Sequence, residues 1–91
     1  MTTRELERHL KSALSADHVE VADESAAHVG HLPAAPTEGT HLAVLVVSAV
    51  FHDKTQVERH RAVYAVLERE WQGSLHALRI RAVTPQEWRR V

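Results

Sequence analysis

The apolar run from Leu42 to Phe51 is the segment that most constrains how this chain folds. It is about ten residues long, whereas a helix that crosses a membrane needs roughly twenty apolar residues. The centre of the run, Val44 to Val47, is rich in β-branched residues and apolar on both faces, as in a strand covered on two sides. We therefore expect a buried central strand over His41–Val50.

Two further strands are indicated by alternation of apolar and polar residues. Residues 18–23 alternate around Val19 and Val21, which predicts a short strand with one buried face. Residues 75–83 predict a third strand with two different faces. One face carries His76, Leu78, Ile80 and Ala82, and the other carries Ala77, Arg79 and Arg81.

Three capping boxes mark the starts of helices, since a threonine followed three residues later by glutamate satisfies the first free backbone N–H groups. The pairs are Thr2 with Glu5, Thr55 with Glu58, and Thr84 with Glu87. The first predicts a helix over about residues 3–15. The second predicts a helix that ends at Gly73, with a possible break near Arg59. The third predicts a short last helix that begins at Pro85 and docks Trp88.

The spacing of apolar residues in the second helix predicts which of its faces is buried. Positions three and four residues apart lie on one face of a helix. The predicted core stripe consists of Val57, His60, Tyr64, Leu67 and Trp71. In this interpretation His60 is a structural histidine inside the core, and Arg59 and Arg61 beside it face outward.

The order of these elements predicts an α+β fold, α-β-β-α(α)-β-α, with helices on one face of a three-stranded sheet. A chain of 91 residues suits one domain over residues 1–91. The stretch from Glu24 to Gly39 has neither helical nor strand periodicity and contains two prolines and two glycines, which predicts a loop. A loop this long in a compact domain is often functional.

Composition narrows the classes of function. The chain has no cysteine, so it cannot supply a thiol nucleophile or a thiolate ligand. No pair of nucleophile and base and no phosphate-binding glycine loop is visible, and we expect no enzymatic activity. The N-terminus runs directly into a charged amphipathic pattern instead of a signal peptide, so we expect a cytoplasmic protein without a membrane partner.

Eight histidines are the compositional anomaly, and histidine is a common metal ligand. His76 opens the third predicted strand, where it is either a structural histidine or a ligand. His28 and His31 lie in the predicted loop, where they are either solvated or close enough together to bind one metal. With a distant third histidine they would also suit zinc, which accepts three nitrogen ligands and water.

Residues 52–91 are mildly basic, with eight Lys/Arg against five Asp/Glu, whereas residues 1–51 carry three against seven. Lys54, Arg59 and Arg61 are the candidate contacts for an anionic partner that carries carboxylate or phosphate groups. An ordinary solvated surface is the alternative interpretation.

Four segments together carry a resemblance to a known family. They are Asp23-Glu24-Ser25 with His28-Val29-Gly30-His31, then Gly39-Thr40-His41-Leu42 leading into Val46-Val47-Ser48, then Arg59-His60-Arg61-Ala62-Val63-Tyr64, and finally His76-Ala77-Leu78 with Thr84-Pro85-Gln86-Glu87-Trp88. In order and spacing they resemble the BolA/IbaG family over residues 5–88. This resemblance implies a fold related to the class II K-homology domain.

The resemblance also implies a function in iron–sulfur cluster assembly, trafficking or iron sensing. BolA-like proteins are partners of monothiol glutaredoxins, with which they share a two-iron two-sulfur cluster that also takes a thiolate from glutathione. By resemblance, His76 matches the recurrent cluster ligand, and His28 or His31 is the second. No cofactor is expected on the protein alone. We expect a monomer when it is free, with a weak homodimer as the alternative.

DNA binding is the alternative function, since the family is often described as transcriptional regulators of stress response or morphology. Lys54, Arg59 and Arg61 would then contact the nucleic acid. However, K-homology domains hold the nucleic-acid backbone with a Gly-x-x-Gly loop, and the chain has no such tetrapeptide. It also departs from the family after Phe51, where Asp53 stands in a turn that commonly contains glycine.

Overall fold

The computed structural model describes residues 2–24, 41–70 and 77–89. The elements follow the predicted order. They are α1 (Thr3–Ala13), β1 (His18–Asp23), β2 (His41–Val47), a 3-10 turn (Ala49–Phe51), α2 (Gln56–Glu70), β3 (Ala77–Val83) and α3 (Pro85–Arg89). The predicted α+β class is therefore confirmed, whereas the predicted loop beyond Glu24, the predicted helix end at Gly73 and the core position of Trp71 lie outside the described residues.

The threonine half of all three predicted capping boxes forms, and the reciprocal glutamate half forms at Thr55 and Thr84. The Oγ1 atoms of Thr2, Thr55 and Thr84 accept from the backbone N–H groups of Glu5, Glu58 and Glu87 at 3.1, 3.1 and 3.2 Å. The carboxylates of Glu58 and Glu87 accept in return from the N–H groups of Thr55 and Thr84, at 2.8 and 2.7 Å. The N–H and hydroxyl groups of Thr55 lower the pKa of Glu58, because both interactions favour its charged form.

The sheet has the order β1-β2-β3, so β2 is central as predicted. β1 and β2 pair antiparallel, with His18 opposite Val47. β2 and β3 pair parallel, with His41 beside Ala77 and Val47 beside Val83. A parallel pair needs a crossover, and α2 lies in that connection. β1 and β3 are the two edge strands of the described sheet.

β2 ends at Val47, three residues before the predicted end, because Ser48 starts a 3-10 turn. The Ser48 Oγ accepts from the backbone N–H of Val50 at 3.2 Å and donates to the carbonyl oxygen of Leu14 at 2.6 Å. Ser48 is fully buried. One hydroxyl group therefore joins the end of β2 to the C-terminal end of α1.

α1 ends in a left-handed residue, Ser15, whose φ is 47°. The next residue, Ala16, donates its backbone N–H to the carbonyl of Lys11 at 3.0 Å. This long-range bond is typical of the Schellman motif, in which glycine is the usual left-handed residue. The helix therefore ends with a non-glycine residue in a conformation that a side chain disfavours.

The core lies between the helices and one face of the sheet. Leu6 and Leu10 of α1 are fully buried, four residues apart as their spacing predicts. β2 contributes alternate residues, and Phe51 of the 3-10 turn fills the centre. The buried members are Leu6, Leu10, Leu14, Ala16, Val21, Leu42, Val44, Val46, Phe51, Val63, Val66, Leu67 and Ala82. The predicted packing of helices on one face is thus seen for α1 and α2.

The predicted buried face of α2 is wrong by one position, although Leu67 is buried as expected. Val57 and Tyr64 are 59% and 52% exposed, and His60 is exposed as well, so it is no core histidine. The buried stripe instead contains Val63 and Val66. Together with Ala62 and Leu67, these form the apolar arc of α2 that packs against the core.

The opposite face of the sheet is largely open, but Trp88 covers one end of it. The Trp88 ring stacks on His18 with centroids 5.7 Å apart and an interplanar angle of 24°. His18 also approaches Glu20, which shares its face of β1, with Nε2 2.6 Å from Oε2. Trp88 is half-buried, so the predicted docking of the last helix through this residue is confirmed.

Candidate functional site

The three predicted metal ligands, His28, His31 and His76, lie outside the described residues, so their roles stay predictions. The structure does describe the residues where their segments join the sheet. Glu24 precedes the segment that contains His28 and His31, and Ala77 directly follows His76.

These two junctions lie at the same end of the sheet. The backbone N–H of Glu24 donates to the carbonyl of His41 at 2.7 Å, where β2 begins. His41 is in turn the register partner of Ala77, where β3 begins. Neighbouring strands lie about 4.8 Å apart. Both segments that carry candidate ligands are therefore attached to one sheet end, which we call the His41 end, defined by Glu24, His41 and Ala77.

The His41 end also carries an ion pair. Arg79 Nη2 donates to both carboxylate oxygens of Glu24, at 2.7 and 2.8 Å. The pair is largely exposed, so its contribution to stability is small. Its geometric effect is to fix the point at which the chain leaves β1. Among the described residues, no three His, Asp or Glu side chains are grouped so that they could hold a metal ion.

Arg59 does not face outward, and that prediction is wrong. Its side chain is 7% exposed and crosses from α2 to the C-terminal part of the domain. Nε donates to the carbonyl of Lys54 at 3.0 Å, while Nη1 donates to the carbonyl of Ala82 at 3.1 Å and to Glu87 Oε1 at 2.7 Å. The guanidinium also lies 6.0 Å from the ring centroid of Phe51.

The physical reason for this placement is the free polar group at the end of β3. The carbonyl of Ala82 needs a donor when it is buried, and a long side chain with several fixed N–H groups can reach it from α2. Lys54 and Arg61 remain exposed and available to a partner. The candidate anionic-contact set is thus reduced to these two residues.

Glu87 is held in its charged form by the same contact. The hydrogen bond from Arg59, followed by the backbone N–H of Thr84, lowers the pKa of Glu87 from 4.5 to about 2. Glu58 and Glu87, whose pKa values are clearly lowered, both cap helices. The shift of Glu58 reflects helix capping, and that of Glu87 reflects first the contact with Arg59 and then capping, so neither indicates a catalytic acid or base.

Asp53 adopts the left-handed conformation, with φ of 61°, in the turn before α2. This confirms that an aspartate can occupy the turn where glycine is expected. The carbonyl of Phe51 accepts from the N–H of Lys54 at 3.1 Å and closes the turn. Lys54 is consequently presented at the surface beside the start of α2.

Sequence reasoning missed a shallow groove of about 420 Å³ between α2 and β3. Its walls combine the exposed stripe of α2 with two half-buried residues of β3. They are His60, Arg61, Tyr64, Ala65, Glu68, Leu78 and Ile80. The sequence did contain a signal for this groove. One apolar arc of α2 leaves Tyr64 on the outside of the helix, and it consists of Ala62, Val63, Val66 and Leu67.

None of the helices in the described ranges is long and apolar enough to cross a membrane. This agrees with the strand interpretation of the apolar run.

Relatives with known names support the sequence resemblance. Residues 10–87 match the family model described as BolA-like protein. The chain is 42% identical to human BolA-like protein 1 over 80 residues, which are 88% of this chain and 56% of that protein. It thus spans little more than half of this longer relative. It is also 39% identical over 82 residues to a SufE-like protein 1 of Arabidopsis thaliana, of which it covers 22%.

Solved structures show the same fold. The BolA domain of SufE1 from Arabidopsis thaliana superposes with a TM-score of 0.77 at 36% identity, covering 93% of both chains. The mouse BolA1 solution structure gives a TM-score of 0.76 at 37% identity, covering 97% of this chain and 68% of that one. On the family match, the sequence identity and the shared fold, this chain belongs to the BolA family.

Proposed function

We propose that this protein is a non-enzymatic partner of a monothiol glutaredoxin and contributes histidine ligands to a shared two-iron two-sulfur cluster. The observation that carries the proposal is the His41 end. The segment with His28 and His31 and the segment with His76 both join the sheet there, although 44 residues or more separate these histidines along the chain.

The ligand atoms that the chain offers fit a cluster shared with another protein better than a cluster bound by this chain alone. Iron–sulfur clusters are usually held by cysteine thiolates, and this chain has none. It can therefore supply only imidazole nitrogens, and the thiolates must come from glutaredoxin and glutathione. The similarity to a SufE-like protein adds a link to iron–sulfur metabolism.

His76 and one of His28 and His31 would bind the iron in this complex. Replacing a thiolate by a neutral imidazole removes negative charge from the iron, and in Rieske centres this raises the reduction potential. Because a protonated imidazole cannot bind a metal, the protein's contribution should also weaken as pH falls through the histidine range.

Reconstitution tests the proposal. The protein is mixed with a monothiol glutaredoxin, glutathione, ferrous iron and sulfide, and visible absorbance and circular dichroism are followed. We expect a spectrum that differs from that of the glutaredoxin alone, and loss of this difference in His76→Ala. Single replacements of His28 and His31 should identify the second ligand.

A matched control comes from His52, which is exposed in the turn before α2, beyond the opposite end of β2. His52→Ala should leave the mixed spectrum unchanged. If His76→Ala behaves like His52→Ala, the assignment of His76 is wrong. If no mixed spectrum forms with the unmodified protein, the glutaredoxin partnership itself is wrong.

A further inference from the structure

The free edge of β3 is the feature from which we infer a second interaction surface. The carbonyl of Val83 accepts from the N–H of Ser48, on the side of β2, at 3.0 Å. The carbonyl of Ala82 points the other way and accepts from Arg59. In a parallel strand, alternate residues direct their backbone groups to opposite sides. The backbone groups of Leu78 and Ile80 therefore point away from β2.

Arg59 covers only the last of these outward positions. Within the described part of the chain, no strand pairs with β3 on that side, so Leu78 and Ile80 offer an open edge. Exposed strand edges with free backbone groups accept additional strands. The edge opens directly onto the groove between α2 and β3.

The two sides of this edge differ in chemistry. Leu78 and Ile80 place their side chains on the helix side, next to Tyr64 and Ala65. Arg79 and Arg81 place theirs on the open face of the sheet, where both are exposed. A strand added at the edge continues this alternation. Its apolar residues lie beside the groove, and the residues on its other face lie beside the arginines.

The charges beside the edge indicate which residues of the added strand should face the arginines. Arg79 already pairs with Glu24, whereas Arg81, on the same open face, makes no ion pair with another described residue. An unpaired cation beside an open edge favours an acidic residue on that side of the added strand. Glu68 at the other end of the groove disfavours a continuous polyanion such as nucleic acid.

We propose that the β3 edge and its groove bind an extended peptide in which aliphatic and acidic residues alternate, as a fourth strand of the sheet. The bound stretch is short, about five residues, because Arg59 closes the edge at Ala82. This site is built from residues other than the predicted cluster ligands, so it does not depend on the cluster proposal.

The test uses a capped octapeptide that alternates valine and glutamate, titrated to about 1 mM into the ¹⁵N-labelled protein at neutral pH. We expect saturable amide shifts at Leu78 and Ile80 and in the Tyr64 region of α2. Two further peptides carry N-methyl groups on every valine or on every glutamate. One of them should lose binding, because only the residues whose N–H faces β3 form the ladder.

Charge reversal gives the second measurement. Arg81→Glu should weaken binding of the valine–glutamate peptide about fivefold and strengthen binding of a valine–lysine peptide. Arg8→Glu is the matched control, since Arg8 is also exposed but lies on α1. This control should bind the valine–glutamate peptide as the unmodified protein does.

Several outcomes would overturn the proposal. They are no shifts at Leu78 and Ile80, equal binding of both N-methylated peptides and the unmodified one, or equal effects of Arg81→Glu and Arg8→Glu. Displacement of the peptide by a deoxythymidine decamer that shifts the same amides more strongly would assign the groove to nucleic acid. Shifts at these amides that depend on protein concentration without peptide would assign it to a second copy of this chain.

Discussion

Replacing Arg59 by methionine removes three hydrogen-bond donations from the junction of α2, β3 and α3 while keeping a long apolar side chain. The buried carbonyl of Ala82 then loses its donor, which costs about 2 kcal/mol, and the part-buried carbonyl of Lys54 adds about 1 kcal/mol. The ion pair with Glu87 adds little, because that carboxylate is partly exposed and screened. The expected loss in the free energy of unfolding is about 3 kcal/mol.

A loss of this size lowers the melting temperature of a domain of this length by roughly 12–24 °C. Urea unfolding followed by circular dichroism measures the loss in the free energy of unfolding, with Arg61→Met as the control, because Arg61 is exposed two residues further along the same helix. A loss below about 1 kcal/mol, or an equal loss in the control, would refute the role assigned to Arg59.

The same contact predicts how stability depends on pH. The pKa of Glu87 is about 2 in the folded protein, below its ordinary value of 4.5. Its stabilising contribution is therefore fully present above pH 4.5 and is lost as pH falls from about 4.5 towards 2. In Glu87→Gln this part of the acid loss should be absent, and in Arg59→Met it should be smaller, because the N–H of Thr84 still lowers the pKa of Glu87. The stability curves of both variants should therefore approach that of the unmodified protein in this window. If the stability curves of the variants stay parallel to that of the unmodified protein in this window, the role assigned to Glu87 is wrong.

Four further substitutions test the packing. Ser48→Ala removes the buried donor to the carbonyl of Leu14 and should cost about 1–2 kcal/mol in urea unfolding. Ser15→Gly relieves a positive φ and should raise stability by about 0.5–1 kcal/mol, seen as a higher melting temperature; a decrease would contradict the strain. Val63→Ala should cost about 2 kcal/mol, whereas Tyr64→Ala should cost less than about 0.5 kcal/mol. A larger loss of stability in Tyr64→Ala than in Val63→Ala would show that the helix face predicted from the sequence is the buried one.

Local chemistry made the helix starts predictable. Each capping box depends on two residues three positions apart, so Thr55 and Glu58 suffice to locate the start of α2. The strand faces were predictable for the same reason, because alternation in β3 directly separates Leu78 from Arg79. These features need no knowledge of the rest of the chain.

The errors arose where distant residues decide. Arg59 looks like a surface residue in sequence, and its burial depends on the carbonyl of Ala82, 23 positions away. Tyr64 satisfies a helical spacing, yet it is exposed, and Val63 is the residue that the rest of the core covers. The candidate site was predictable only through family resemblance, because spacing alone does not bring His76 near His28 or His31.

The Arg59 contact also links the timing of folding to synthesis of the chain. Arg59 emerges from the ribosome before its partners Ala82 and Glu87, which belong to the last two elements. Until these residues have been synthesised, burying the guanidinium carries a desolvation cost that no hydrogen bond to them offsets. This cost weakens the packing of α2 against the core. A nascent chain that stops before Thr84 should therefore remain unfolded or loosely collapsed, and the C-terminal residues act as the signal that completes the domain.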